Sequence, residues 1–106
     1  MIKEYNINNP FWKIITGEIK TNILYGGEHT IVINDINPQD KIHLLIIPKG
    51  TYLDYHHFIM NSSMEEKADL FNTIQLHIPK SNNYQIITNS GNKQQIHHFH
   101  IHIIGH

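Results

Sequence analysis

Near its end the chain reads His97-His98-Phe99-His100-Ile101-His102-Ile103-Ile104-Gly105-His106. Five of the protein's ten histidines fall in these ten residues, and the residues between them are almost all apolar. In an extended segment successive side chains point to opposite faces, so His98, His100 and His102 share one face while Phe99, Ile101 and Ile103 share the other. The apolar set can bury itself, and the opposite side becomes a row of imidazoles. A helix would scatter both sets around its circumference, and the β-branched and aromatic content favours a strand.

Neutral imidazole is both a nucleophile and a metal ligand, and a pKa of about 6.5 leaves much of it unprotonated at neutral pH. Spacing separates the two uses. Residues two apart on a strand lie about 6.7 Å apart, which puts His98 and His102 about 13 Å apart at Cα. Two neighbours can share a metal with ring-nitrogen bonds of about 2 Å, but three from one straight strand converge poorly. The middle ring, His100, is therefore the candidate working group, flanked by one ring on each side that orients it or touches the same substrate. A metal site made of two of these rings and a ligand elsewhere is a competing reading, as is a surface strand with incidental histidines.

The elements that would position this row follow along the chain. Asn9-Pro10 ahead of Phe11, Ile14 and Ile15 supplies an N-cap, a proline at the first helical position and an apolar stripe, which predicts a short helix over 10–16 with Phe11 and Ile15 inward. Ile23-Leu24-Tyr25 and His29-Thr30-Ile31-Val32-Ile33-Asn34, joined through Gly26-Gly27, read as a hairpin. Asp35 sits where the second strand becomes a turn, placed either to accept from vicinal hydroxyls of a sugar or to cap its own turn. His43-Leu44-Leu45-Ile46-Ile47 reads as a central strand covered on both faces, opened by a histidine. Residues 50–61, with Tyr52, Tyr55, His56, His57 and Phe58, fit a loop or a cover for the sheet equally well.

Ser62-Ser63-Met64-Glu65-Glu66 has capping-box spacing, either Ser62 to Glu65 or Ser63 to Glu66. Met64, Ala68, Phe71, Ile74 and Ile78 then recur at helical steps up to Pro79, which predicts the main helix over 63–78, with this stripe against one face of the sheet. Tyr84-Gln85-Ile86-Ile87-Thr88 is another strand. The turn formers Asn89-Ser90-Gly91-Asn92-Lys93 lead back through Gln94-Gln95-Ile96 to the histidine strand, so the last two strands should pair antiparallel, with Asn89 and Gln94 close to the imidazoles.

A chain of 106 residues is one domain, small enough for a partner subunit to add much to its stability. A formal net charge of −1 without a basic run argues against a nucleic-acid partner. The absence of cysteine excludes disulfides and thiolate zinc sites. Neither a secretion signal nor an apolar run of about 20 residues is present, so a soluble, cytoplasmic protein without membrane contact is expected.

The run His98-Phe99-His100-Ile101-His102-Ile103-Ile104 resembles the His-φ-His-φ-His-φ-φ signature of the histidine triad (HIT) family, where φ is apolar. Phe11-Trp12-Lys13-Ile14-Ile15-Thr16-Gly17-Glu18-Ile19, Asp35-Ile36-Asn37-Pro38-Gln39 and His43-Leu44-Leu45-Ile46-Ile47-Pro48-Lys49 are similar to other blocks of that family, in the same order, over about residues 10–105. The resemblance implies a single α+β HIT domain over 1–106: a five-stranded, mainly antiparallel sheet with one long helix and one short N-terminal helix, usually a homodimer. It also implies a purine nucleotide substrate and covalent chemistry at its α-phosphate, with no cofactor and no metal at that step.

Residue by residue, His100 matches the nucleophile that forms a nucleotidyl-histidine, His98 the histidine whose carbonyl holds the nucleophile's other ring proton, and His102 a donor to a phosphate oxygen. His43 matches a histidine near the triad, suited to proton relay. Asp35 matches the ribose-binding acid, Asn89 and Gln94 phosphate-side polar groups, and Phe11 and Ile36 walls of the base pocket. Many relatives enter the triad through Gly-Gln-Ser or Gly-Gln-Thr, whereas this chain has Lys93-Gln94-Gln95. Gln95 thus replaces a hydroxyl that would meet the scissile phosphate, and Lys93 could supply positive charge there instead. Asn9 and Trp12 stand where some relatives carry a zinc-binding cysteine pair, so no such zinc is expected.

The strings Lys13-Ile14-Ile15-Thr16-Gly17-Glu18-Ile19 and Asp35-Ile36-Asn37-Pro38-Gln39 look closest to the Hint-type nucleoside phosphoramidase branch. The expected activity is hydrolysis or transfer on a phosphoramidate or dinucleoside polyphosphate. The alternatives are a nucleotide-binding or interaction module of the same fold with little turnover, and metal binding through the histidines.

Overall fold

A computed structural model describes residues 4–106 of the protein. Five strands form one antiparallel sheet: β1 (Ile23–Gly26), β2 (Thr30–Asn34), β3 (Ile42–Pro48), β4 (Tyr84–Ile87) and β5 (Ile101–Gly105), in the spatial order β1-β2-β3-β5-β4. Three helices accompany it: α1 (Pro10–Ile15), α2 (Tyr55–Asn61) and α3 (Met64–Leu76). The expected α+β arrangement is present, with the predicted hairpin as β1–β2 and β3 at the centre, paired with β2 and β5.

Alternation along the strands sorts the core into two layers. Val32, Ile46, Ile101 and Ile103 face one way and pack with Phe99, Phe58 of α2 and Leu70 of α3. Ile31, Ile33, Leu45 and Ile47 face the other way and pack with Phe11 of α1. Because Leu45 is paired with His102, the imidazole row belongs to the α1 layer and its apolar reverse to the α2–α3 layer. The same parity carries Asp35, two residues beyond Ile33, and His43, two before Leu45, onto the histidine side.

Each helix start has a local cause. Asn9 Oδ1 accepts from the Trp12 N–H at 2.9 Å, with Pro10 at the first helical position. Of the two capping boxes that the sequence allows, Ser63 with Glu66 is formed in both directions. Asp54 caps α2, a helix in the stretch where the residue pattern did not choose, by accepting from the His57 N–H at 2.9 Å.

Two expectations are corrected. The stripe assigned to the main helix is only in part the buried one: Ile74 packs against the core, but Met64 and Phe71 are 76% and 71% exposed, whereas Leu70 and Thr73 are buried. Thr73 is admitted to that face because its hydroxyl donates to the Asp69 carbonyl at 2.7 Å, one turn back in the same helix. The histidine strand is also shorter than expected, with a sheet ladder only from Ile101. Upstream, the Phe99 N–H donates to the Tyr52 carbonyl at 2.8 Å and the His100 carbonyl accepts from the Thr88 hydroxyl at 2.8 Å, so loops hold that backbone in place of a strand.

Candidate active site

His98, His100 and His102 remain on one face, as alternation requires, and are joined there by His43, Asp35 and Phe11. His98 is fully buried, and His43 and His100 are 3% and 7% exposed. The Phe11 ring stands edge-on to His100 with centroids 4.9 Å apart, and the rings of His100 and His102 are 5.0 Å apart. Phe99 anchors the reverse of the segment, fully buried 4.9 Å from the Phe58 ring.

The hydrogen bonds fix which nitrogen of each ring carries the proton. Carbonyl oxygens only accept, so His98 donates from Nε2 to the Pro48 carbonyl at 2.7 Å, and His100 donates from Nδ1 to the His98 carbonyl at 2.7 Å. In its neutral form His100 therefore keeps its lone pair on Nε2. The backbone N–H of Gln39 donates to His43 Nδ1 at 3.1 Å, which assigns the His43 proton to Nε2. That Nε2 lies 2.9 Å from His102 Nδ1 and 3.3 Å from Asp35 Oδ2. Donating there, it leaves His102 with its proton on Nε2. Two side chains of opposite capacity result, with a lone pair on His100 and an N–H on His102.

Burial favours the neutral form of all three rings of the triad. Desolvation pushes His98 down to about 4, against which its bond to Pro48 is insufficient. His102 is likewise lowered to about 4 by burial, helped by the neighbouring His100 and His43 and opposed by Asp35. Burial also lowers His100, partly offset by its bond to the His98 carbonyl and by Asp35.

Of the two uses open to Asp35, the turn cap is formed. Its Oδ1 caps the turn by accepting from the Asn37 N–H at 2.8 Å, while Oδ2 faces His43 and His102. Ligand atoms of Asp35, His43 and His102 lie within 4.8 Å of one another, a spacing that could hold a metal ion. Ligation through His43 Nε2 would move its proton to Nδ1, where it would meet the Gln39 N–H donor to donor. The arrangement thus suits proton relay better than ligation.

The remaining candidates take no part in the hydrogen bonds and ring contacts just described. Gln94 is buried, but its amide donates to the Leu53 carbonyl at 2.8 Å and its oxygen lies 3.1 Å from His97 Nδ1. Lys93 and Gln95 are exposed, Asn89 is half-buried just beyond β4, and Ile36 is 91% exposed. Contributions from Gln39, Pro48 and Thr88 were not legible in the sequence. They act through main-chain groups or through a hydroxyl aimed at a carbonyl, and no residue type announces that.

The family model for the HIT domain matches residues 16–106. An uncharacterised HIT-like protein of Rickettsia prowazekii is 39% identical over 108 residues, covering 95% of this chain and 89% of that one. A solved HIT family hydrolase from Clostridium thermocellum superposes with a TM-score of 0.75 at 31% identity, covering 93% of this chain and 90% of that one. A hypothetical histidine triad nucleotide-binding protein from Sulfolobus tokodaii gives 0.72 at 28% identity, covering 88% and 65%. The protein belongs to the histidine triad family.

Proposed function

We propose that this protein is a nucleotide hydrolase or transferase that acts on a purine nucleoside 5′-phosphate joined to an amine or to a further phosphate. In this reading the His100 Nε2 lone pair attacks the α-phosphorus, a nitrogen–phosphorus bond forms, and the bond to the amine or phosphate leaving group breaks. Water then attacks phosphorus, releases the nucleoside monophosphate and returns His100 to its neutral form. His102 Nε2–H donates to a non-bridging oxygen as negative charge grows there. His43, whose Nε2 proton lies between His102 Nδ1 and Asp35 Oδ2, holds the His102 tautomer. Asp35 also meets the ribose, Phe11 and Ile36 flank the base, and Asn89, Gln94, Gln95 and Lys93 lie on the phosphate side.

The single observation carrying this reading is the hydrogen-bond pattern that leaves a lone pair on His100 Nε2 and a proton on His102 Nε2. Similarity to a HIT family hydrolase and to a hypothetical histidine triad nucleotide-binding protein supports the substrate class. Hydrolysis of an adenosine 5′-phosphoramidate tests it. Turnover that survives a chelator and is lost in His100→Ala is expected; turnover retained in that variant would remove the nucleophile.

Replacement of the hydroxyl position by an exposed Gln95 favours a second reading, nucleotide binding with little turnover. Tight AMP binding without hydrolysis would select it. We further propose a cytoplasmic homodimer without nucleic-acid or membrane partners. The open edge of β4, with Tyr84 and Ile86 38% and 48% exposed, and the exposed Phe71 and Leu76 of α3 support self-association. Among the described residues no helix is long and apolar enough to cross a membrane.

A further inference from the structure

The His98 ring is bonded at both nitrogens, and only one bond comes from the sheet. With Nε2 donating to the Pro48 carbonyl, Nδ1 carries a lone pair in a fully buried position and requires a donor. That donor is the Tyr5 hydroxyl, from the segment ahead of α1. The direction of its proton is set from the other side, because Asn9 Nδ2 donates to the Tyr5 oxygen at 3.0 Å and leaves the hydroxyl hydrogen for His98. Asn9 is itself held by the Trp12 N–H at its Oδ1 and by donation to the Asn6 carbonyl at 2.8 Å. The Tyr5 ring also stands edge-on to His98 and to Trp12, with centroids 5.5 and 6.1 Å away.

We propose that Tyr5 is a positioning residue for the nucleophile. It completes a relay from the α1 cap through the His98 ring to the His98 carbonyl that accepts from His100 Nδ1. Tyr5 acts through His98 and touches neither His100 nor the reacting phosphate in this scheme. Fixed at both nitrogens, the His98 ring holds one tautomer and one rotation, and its main-chain oxygen stays aimed at His100. Burial holds the Tyr5 hydroxyl protonated, as donation requires. The inference deepens the proposed hydrolytic role of the same site and rests on that reading for its kinetic consequence only.

The test is Tyr5→Phe in the full chain, read by the ring nitrogens of His98 in 15N spectra and by kcat and KM on an adenosine 5′-phosphoramidate. The expected result is a shift of the His98 Nδ1 resonance toward that of a ring nitrogen without a donor, with Nε2 still protonated toward Pro48, and kcat down by about tenfold with KM nearly unchanged, the size of one lost hydrogen bond. Asn9→Asp is the second variant. It keeps the helix cap but offers Tyr5 a carboxylate acceptor, which draws the hydroxyl proton from His98 and should reproduce both effects. A His98 signature that stays unchanged in both variants overturns the proposal. If the wild-type chain shows no turnover, the hydrolytic reading falls while the 15N comparison still decides the role of Tyr5.

Discussion

Acid should weaken this fold through His98, and by an amount that the site itself sets. The ring is fully buried between Pro48 and Tyr5, and burial holds it near 4 in the folded state against about 6.5 in an unfolded chain. The folded ring therefore binds fewer protons than the unfolded one throughout that interval. Stability is complete above about pH 6.5, falls as the pH drops toward 4, and levels off below it. Each pH unit inside the window costs about 1.4 kcal/mol, so a drop from pH 7 to pH 5 removes about 2 kcal/mol through His98 alone. His102 contributes in the same direction, less strongly because its side chain is 17% exposed. The assay is urea unfolding at pH 7, 6 and 5, comparing the wild-type chain with His98→Asn, which cannot titrate. The two stabilities should converge by about 2 kcal/mol as the pH falls. Parallel lines, or a His98 ring that titrates near 6.5 in an NMR series on the folded wild type, would refute the argument that this imidazole is held neutral.

Three further outcomes are expected. His43→Ala leaves the Gln39 N–H and His102 Nδ1 without their partner; stability should fall by about 2–3 kcal/mol and kcat by about 10- to 100-fold with AMP affinity little changed. Thermal unfolding and steady-state kinetics check this, and an unaltered kcat in the folded variant would contradict the relay. Phe99→Ala opens a cavity behind the imidazole row and should cost about 3–5 kcal/mol by denaturant midpoint, whereas a loss below about 1 kcal/mol would show that the segment is not anchored there. Gln95→Ser restores the small hydroxyl and should raise kcat by about threefold or more on amine leaving groups; equal rates across leaving groups in both forms would place Gln95 outside the reaction.

Period-two alternation made the histidine face legible from the sequence, because a buried reverse of Phe99, Ile101 and Ile103 admits one orientation only. Asn9-Pro10 announced α1, and the start of α3 was narrowed to two capping boxes that differ by one residue. The buried stripe of α3 was legible only in part. Its residues alternate between apolar and polar on several faces, and a threonine that satisfies its own hydroxyl is buried while Phe71 is exposed. Nor did residues 50–61 declare α2, whose seven residues are too few for a clear helical period. At the site, the identities of the rings could be read, and the family resemblance implied the hold of the His98 carbonyl on the His100 proton, but the tautomers of His98, His43 and His102 could not be read. Those depend on the Pro48 carbonyl and the Gln39 N–H, main-chain groups brought in by topology. Tyr5 gave no signal at all, since a lone aromatic before a helix cap has no periodic partner.

The central claim is that an uncharged His100 attacks phosphorus through Nε2. The most direct measurement is intact-protein mass after mixing the wild-type chain with an adenosine 5′-phosphoramidate and trapping at low temperature. One added nucleotidyl group, mapped to His100 and missing from His100→Asn while that variant still binds AMP, is the predicted result. Steady hydrolysis by the wild type with no adduct, together with unreduced turnover in His100→Asn, would contradict it.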